Sequence, residues 1–185
     1  MKWKFLLIAT ILLLVYSLFS TEKKKKLKFA IFSKSFQSGH VMPLTLASYK
    51  VKGGKNKSPS LYWENIPEGT KSLALICIDT HPIAKRWVHW MVVNIPVSSD
   101  HIIYGGSLKK MPEGSVELYN SFGDTGWGGP QPPKGTGMHK YLFKIYALKT
   151  GRVPGDIKNE KEFNAAVKKM GILGKASCIG LFRQD

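Results

Sequence analysis

Two short segments of the chain carry the side chains best suited to chemistry. The first is Asp79-Thr80-His81-Pro82, with Trp87-Val88-His89-Trp90 close behind it, and the second runs from Gly128-Gly129-Pro130-Gln131-Pro132-Pro133 to His139-Lys140-Tyr141. Two imidazoles and a phenol can donate hydrogen bonds to a phosphate monoester or a similar oxyanion, and a Gly-rich segment can add backbone N–H groups. Because a carboxylate repels phosphate, Asp79 must pair with an imidazolium or be protonated when such a ligand binds, which predicts pH-dependent binding.

The local sequence indicates how these side chains are positioned. Asp79 follows the apolar run 73–78, which places it at the rim of a sheet. The alternation of residues 87–93 predicts two faces, one with Trp87, His89, Met91 and Val93 and the other with Val88, Trp90 and Val92. By the same rule His139, Tyr141 and Phe143 share a face. On residue types alone the ordinary alternatives stay open: a core histidine at His89, a core phenol at Tyr141, and loop-stiffening prolines at Pro132 and Pro133.

The surrounding elements are typical of an antiparallel β domain. Strands are predicted near 72–78, 87–95, 141–148 and 176–182, with shorter ones between 28 and 68. One helix is predicted, beginning at Asn159 with Glu162 in a capping box and ending at Gly171. The segment 105–140 holds nine glycines and four prolines, and a ligand site is expected there.

At these residues the chain resembles the phosphatidylethanolamine-binding protein (PEBP) family, in its prokaryotic Raf-kinase-inhibitor-like branch. That family's signatures are Asp-Pro-Asp-x-Pro followed by an aromatic residue and His, and Gly-x-Pro-Pro-x-Gly-x-His-[Arg/Lys]-Tyr. Residues 129–141 match the second signature, whereas the first has His81 in place of the second Asp and a loop one residue shorter. Further matches spread the resemblance over about residues 29–185, namely 58–63, 66–70, Val93-Asn94-Ile95-Pro96 and 176–182.

The resemblance implies a PEBP-like antiparallel β-sandwich with a C-terminal α-helix and long Gly/Pro loops. It also implies a ligand-binding pocket formed by Asp79, His81, His89, Gly129, Pro132, Pro133, His139 and Tyr141. His81 is either an exposed loop histidine or an extension of this site. The family consists chiefly of binders and of inhibitors of kinases or proteases, which argues against catalysis.

The N-terminus is predicted to lie outside the fold. Residues 1–20 have the pattern of a signal peptide or an N-terminal membrane anchor, residues 21–28 form a basic linker, and 29–185 form the domain. The chain is therefore expected to be exported, or tethered to the membrane by an uncleaved segment. The lysine run 23–26 allows contact with an anionic membrane surface, or is simply a solvated linker.

Composition excludes several function classes. The net charge is +16, but the lysines are not interleaved with aromatic residues in a nucleic-acid-binding pattern, so no nucleic-acid partner is expected. Sequence signatures of nucleophilic, zinc-protease and dinucleotide chemistry are missing, and no cofactor or metal is expected. Cys77 and Cys178 are predicted as free buried thiols, with a disulfide as the alternative.

Three functions remain in order of preference. The first is a non-enzymatic protein that binds phosphate-bearing or other anionic small ligands. The second is a protein-interaction module that inhibits a protease or modulates a kinase. The third is a hydrolase in which Asp79 and the histidines hold a metal ion.

Overall fold

The computed structural model describes residues 27–185, and its strands fall into two sheets. The elements along the described chain are β1 (Ala30–Phe32), β2 (His40–Val41), β3 (Leu61–Glu64), β4 (Ser72–Asp79), β5 (Val88–Ile95), β6 (His101–Ile102), β7 (Val116–Glu117), β8 (His139–Leu148), α1 (Glu160–Lys169) and β9 (Ile172–Phe182). The small sheet has the order β1-β3-β6 and the large one β2-β9-β8-β4-β5-β7. Neighbouring strands are antiparallel except β2 and β9.

The large sheet is covered on both faces. One face packs against the small sheet, with Phe143 and Trp90 among residues such as Leu61 and Trp63. The other packs against α1 through Phe163 and Val167. Because both faces are covered, every residue of β4 is buried, which explains why that strand is almost entirely apolar. The predicted sandwich with one helix is confirmed.

The helix boundaries follow the local signals. The Asn159 side chain accepts a hydrogen bond from the Glu162 backbone N–H at 3.0 Å, and Glu162 in turn accepts from the Lys158 N–H at 2.8 Å. Gly171 ends the helix with a φ of +76°, a conformation that glycine adopts without strain. The four predicted strands are present, with β8 starting at His139 and β9 at Ile172.

Strict alternation fails in β5, where the prediction was wrong. Ile78 pairs with Val88 and Cys77 pairs with Trp90, so His89 is an extra residue that forms a β-bulge. Val88 consequently packs on the helix side with Met91 and Val93. The His89 ring instead lies beside Tyr141, with ring centroids 4.9 Å apart.

The two cysteines are free and buried. Cys77 and Cys178 both pair with Phe143, from opposite sides of β8, so two strand spacings, about 9.5 Å, separate them. A disulfide needs Cα atoms within about 7 Å, so the disulfide alternative is wrong. Burial raises the pKa of Cys178 to about 12, which keeps this thiol protonated.

The predicted signal or anchor segment and nearly all of the basic linker lie outside the described residues. Between residues 27 and 185, no helix has the length and apolar character needed to span a membrane.

Candidate functional site

A cavity of about 260 Å³ opens where β4 ends and where β5 and β8 begin. Its lining residues are Asp79, Ile83, Ala84, Trp87, His89, Phe122, Gln131, Pro132, Pro133, His139 and Tyr141. The structure thus brings six of the eight candidate residues around one cavity. The sheet explains the convergence, because β4 pairs Asp79 directly with Tyr141 on β8.

Asp79 and His139 form a buried pair at the floor of the cavity. Their side chains are 4% and 1% exposed, and Oδ2 of Asp79 lies 2.6 Å from Nδ1 of His139. The other carboxylate oxygen accepts the His81 backbone N–H at 2.9 Å. Both oxygens of Asp79 therefore have partners within the protein.

The second nitrogen of His139 is occupied as well. The Thr136 hydroxyl uses its one hydrogen to donate a hydrogen bond to the Pro133 carbonyl at 2.6 Å. The same hydroxyl lies 2.9 Å from Nε2 of His139, so in this second contact the imidazole N–H must be the donor. The short contact to Asp79 also requires a proton, on either atom. We therefore assign to the Asp79–His139 pair zero net charge, which removes the repulsion of an isolated carboxylate.

His89 is held in a different state. Its Nδ1 lies 2.5 Å from the Gly128 carbonyl oxygen, which can only accept, so Nδ1 carries the proton. Burial lowers the pKa of His89 to about 4 and outweighs the opposing effects of the Gly128 hydrogen bond and the Asp79 charge. At neutral pH the ring is uncharged and Nε2 has a free lone pair. This nitrogen has no hydrogen-bond partner among the described residues and is not fully enclosed, so it is open to the cavity.

The two glycines that begin the Gly-rich segment supply shape rather than donors. The N–H of Gly128 donates to the His89 carbonyl at 2.8 Å, and the N–H of Gly129 donates to the Asn56 side chain at 2.7 Å. The N–H of Gly126 and that of Trp127 are also bonded within the protein. At Gly128 a Cβ would stand 2.5 Å from the Phe122 ring, so only glycine lets that ring close one wall of the cavity.

Two polar atoms at this cavity lack partners. The Tyr141 hydroxyl and Oε1 of Gln131 are the two fully buried side-chain atoms of the described residues that make no hydrogen bond. Burial raises the pKa of Tyr141, with smaller effects from the nearby Asp79 and Cys77 and from an approach of the hydroxyl to the Asp79 carboxylate that does not reach hydrogen-bond geometry, so the hydroxyl stays protonated. Since unpaired buried polar groups are costly, their clustering at one cavity is a mark of a binding site.

The other two candidate residues lie near the cavity but outside its lining. His81 stacks on His139 with ring centroids 3.9 Å apart and supports the buried pair from one side. Gly129 lines a neighbouring cavity of about 550 Å³, which shares Phe122 and Gln131 with the first. Sequence reasoning missed Gln131 as a candidate, although its place between Pro130 and Pro132 inside the signature was a usable signal.

The donor set does not form a recognisable metal centre. Within residues 27–185 there is no group of three or more His, Cys, Asp or Glu side chains arranged to hold a metal ion. Asp79 and His139 are bonded to each other, and Nδ1 of His89 is bonded to Gly128.

Comparisons with known proteins agree with this architecture. The family model described as phosphatidylethanolamine-binding protein matches residues 32–183. YbcL of Escherichia coli is 36% identical over 159 residues, which cover 83% of this chain and 84% of YbcL. Its crystal structure, described as a new member of the mammalian PEBP family, superposes with a TM-score of 0.79 at 31% identity over 86% of this chain and all of that one.

Two further proteins widen the comparison. LppC of Mycobacterium tuberculosis, named as a lipoprotein, is 36% identical over 118 residues, 64% of this chain and 54% of LppC. A carboxypeptidase Y inhibitor, solved in complex with its cognate proteinase, has a TM-score of 0.53 at 16% identity, covering 85% of this chain and 83% of that one. At that identity the likeness shows the fold alone. The family model and the relatives at 36% identity together show that this chain belongs to the PEBP family.

Proposed function

We propose that this protein is a non-enzymatic binder of small phosphate-bearing ligands, such as a phospholipid headgroup. The ligand occupies the cavity between Asp79, His89, His139 and Tyr141, with Pro132 and Pro133 forming one wall. Family membership supports a binding role, and the small volume of the cavity fits a headgroup-sized ligand.

The unpaired Tyr141 hydroxyl is the observation that carries the proposal. A buried phenol without a partner is destabilising for the free protein, and a ligand oxygen in the cavity would provide the missing hydrogen bond. Asp79 and His139 are already bonded within the protein, so their role is to fix the floor of the cavity. Among the described residues this leaves Tyr141, His89, Gln131 and Trp87 as cavity-lining side chains with polar atoms that make no hydrogen bond within the protein.

The test is Tyr141→Phe, with phosphoethanolamine as the probe. Removing the hydroxyl should weaken binding by about ten- to a hundredfold, since one hydrogen bond to a charged group contributes about 1.5–3 kcal/mol. The same change should leave the free energy of unfolding unchanged or slightly higher, because it removes an unpaired buried polar atom. Titration calorimetry and chemical denaturation measure the two quantities.

Tyr146→Phe is the matched control. Tyr146 lies on the same strand but packs on the opposite face of the sheet against Phe163. This change should not alter binding. Equal affinity of the wild type and Tyr141→Phe would contradict the proposed contact, and a wild type that binds no phosphomonoester would overturn the ligand-binding function.

A wild type without ligand binding would favour the second function, inhibition of a protease or modulation of a kinase.

For location, we propose an exported or membrane-tethered protein. The lipoprotein name of the relative LppC and the signal-like residues 1–20 support this. Mass spectrometry of the membrane and soluble fractions would show whether the N-terminal segment is retained, and a full-length chain in the cytoplasm would contradict the proposal.

A further inference from the structure

The hydrogen-bond pattern of the cavity constrains which form of a phosphate it can accept. We infer that the pocket binds phosphate monoesters as the protonated monoanion, with Nε2 of His89 accepting the hydrogen of the P–OH group. This inference rests on the proposed function and adds a selection for ligands that carry their own proton.

The first step is the fixed tautomer of His89. The Gly128 carbonyl accepts a hydrogen bond from Nδ1–H at 2.5 Å, and the Gly128 N–H donates back to the His89 carbonyl at 2.8 Å, so two bonds hold the residues together. The uncharged ring therefore offers the ligand an acceptor and no donor. A fully deprotonated phosphate oxygen placed against this lone pair would be repelled.

The second step concerns the titratable groups that face His89. Asp79 comes from β4, and His139 and Tyr141 come from β8, while the loop side contributes only Phe122, Trp127 and the Gly128 carbonyl. The Asp79–His139 pair has no net charge, and the Tyr141 phenol is neutral. The floor of the cavity thus has no net positive charge to offset a dianion.

The third step concerns the remaining polar atoms. The N–H groups of residues 126–129 are bonded within the protein, so the Gly-rich segment offers them to no ligand. Tyr141 provides one hydroxyl donor and Trp87 one indole N–H, and the Gln131 amide, whose Oε1 is unpaired, can act as an acceptor or as a donor. A monoanion with one P–OH group matches this set better than a dianion, since it brings a donor and has less charge to bury.

The test uses three small probes of similar shape on the full-length chain. Methyl phosphate has its second ionisation near pH 6, and methylphosphonate ionises at higher pH. Methyl sulfate has the charge of the methyl phosphate monoanion but no proton. We expect methyl phosphate affinity to be constant between about pH 5 and pH 6 and to fall about tenfold per pH unit above pH 6. For methylphosphonate the decrease should begin at a higher pH. At pH 6 methyl sulfate should bind about tenfold more weakly or worse.

His89→Asn is the matched variant, because an asparagine amide can still donate to the Gly128 carbonyl but lacks the second ring nitrogen. It should bind methyl phosphate and methyl sulfate alike. The inference is overturned if methyl sulfate binds the wild type as tightly as methyl phosphate. It is also overturned if the affinities of methyl phosphate and methylphosphonate begin to fall at the same pH. If none of the probes binds at any pH, the proposed function fails and this inference fails with it.

Discussion

Strand β8 buries tyrosine in opposite ways at its two ends. At the first end, Tyr141 is fully buried beside Asp79 and leaves its hydroxyl unpaired. Toward the other end, Tyr146 packs against Phe163 of α1 with the two rings tilted, in a cluster built from aliphatic and aromatic side chains. Among residues 27–185, fully buried side-chain polar atoms without partners lie at the cavity end and not at the helix end. We therefore propose that the helix end contributes mainly stability and the cavity end ligand binding.

Truncation at the helix end should give the largest loss of stability. Phe163 is fully buried, so Phe163→Ala should lower the free energy of unfolding by about 3–5 kcal/mol. Phe122→Ala, at the half-buried cavity wall, is the comparison and should cost clearly less. Denaturant titration of both variants measures the difference, and equal losses would contradict the division between the two ends.

Acid should lower the free energy of unfolding through His89 at the cavity end. The pKa of His89 is about 4 in the fold and 6.5 in the unfolded chain, so only the unfolded chain binds the proton between these values. This stabilisation is fully present above pH 6.5 and is lost as the pH falls toward 4, which amounts to about 3 kcal/mol.

The comparison for this prediction is His89→Asn, which lacks the titrating ring. Chemical denaturation between pH 7 and pH 4 should show a larger stability loss for the wild type than for the variant. Parallel losses in the two proteins would mean that His89 is not held neutral in the fold.

The ion pair between the cavity end and the helix end should contribute least to stability. Arg86, on the loop before β5, forms an ion pair with Glu160 at the start of α1, with Nη2 and Oε1 2.5 Å apart. The Arg86 side chain is 57% exposed, so Arg86→Ala should lower stability by about 1 kcal/mol at most, and high salt should reduce the effect. Arg183→Ala, which removes a pair with the exposed Asp185, should cost still less. A loss above about 2 kcal/mol at Arg86 would show that the loop and the helix are coupled more strongly than a surface pair allows.

Much of the fold was predictable from the sequence because its signals are local. The capping of α1 by Asn159 and Glu162 involves residues three apart, and the continuous apolar run of β4 is enough to predict a buried strand. The resemblance in residues 129–141 added the sandwich and the convergence of the candidate residues.

The state of each polar atom was decided by the tertiary structure. The bulge that turns His89 toward Tyr141 arises from the register of β5 against β4, and strict alternation cannot reveal it. The Asn56 side chain, 73 residues away in sequence, accepts the hydrogen bond from the N–H of Gly129. The Gly128 carbonyl fixes the tautomer of His89. A hydrogen bond depends on which atoms of distant segments meet within about 3 Å, whereas strand periodicity and helix caps depend on neighbours along the chain. For this reason the sequence, through its local patterns and its family resemblance, predicted six of the residues that line the cavity, and only the folded chain determined which of their atoms remain free to bind.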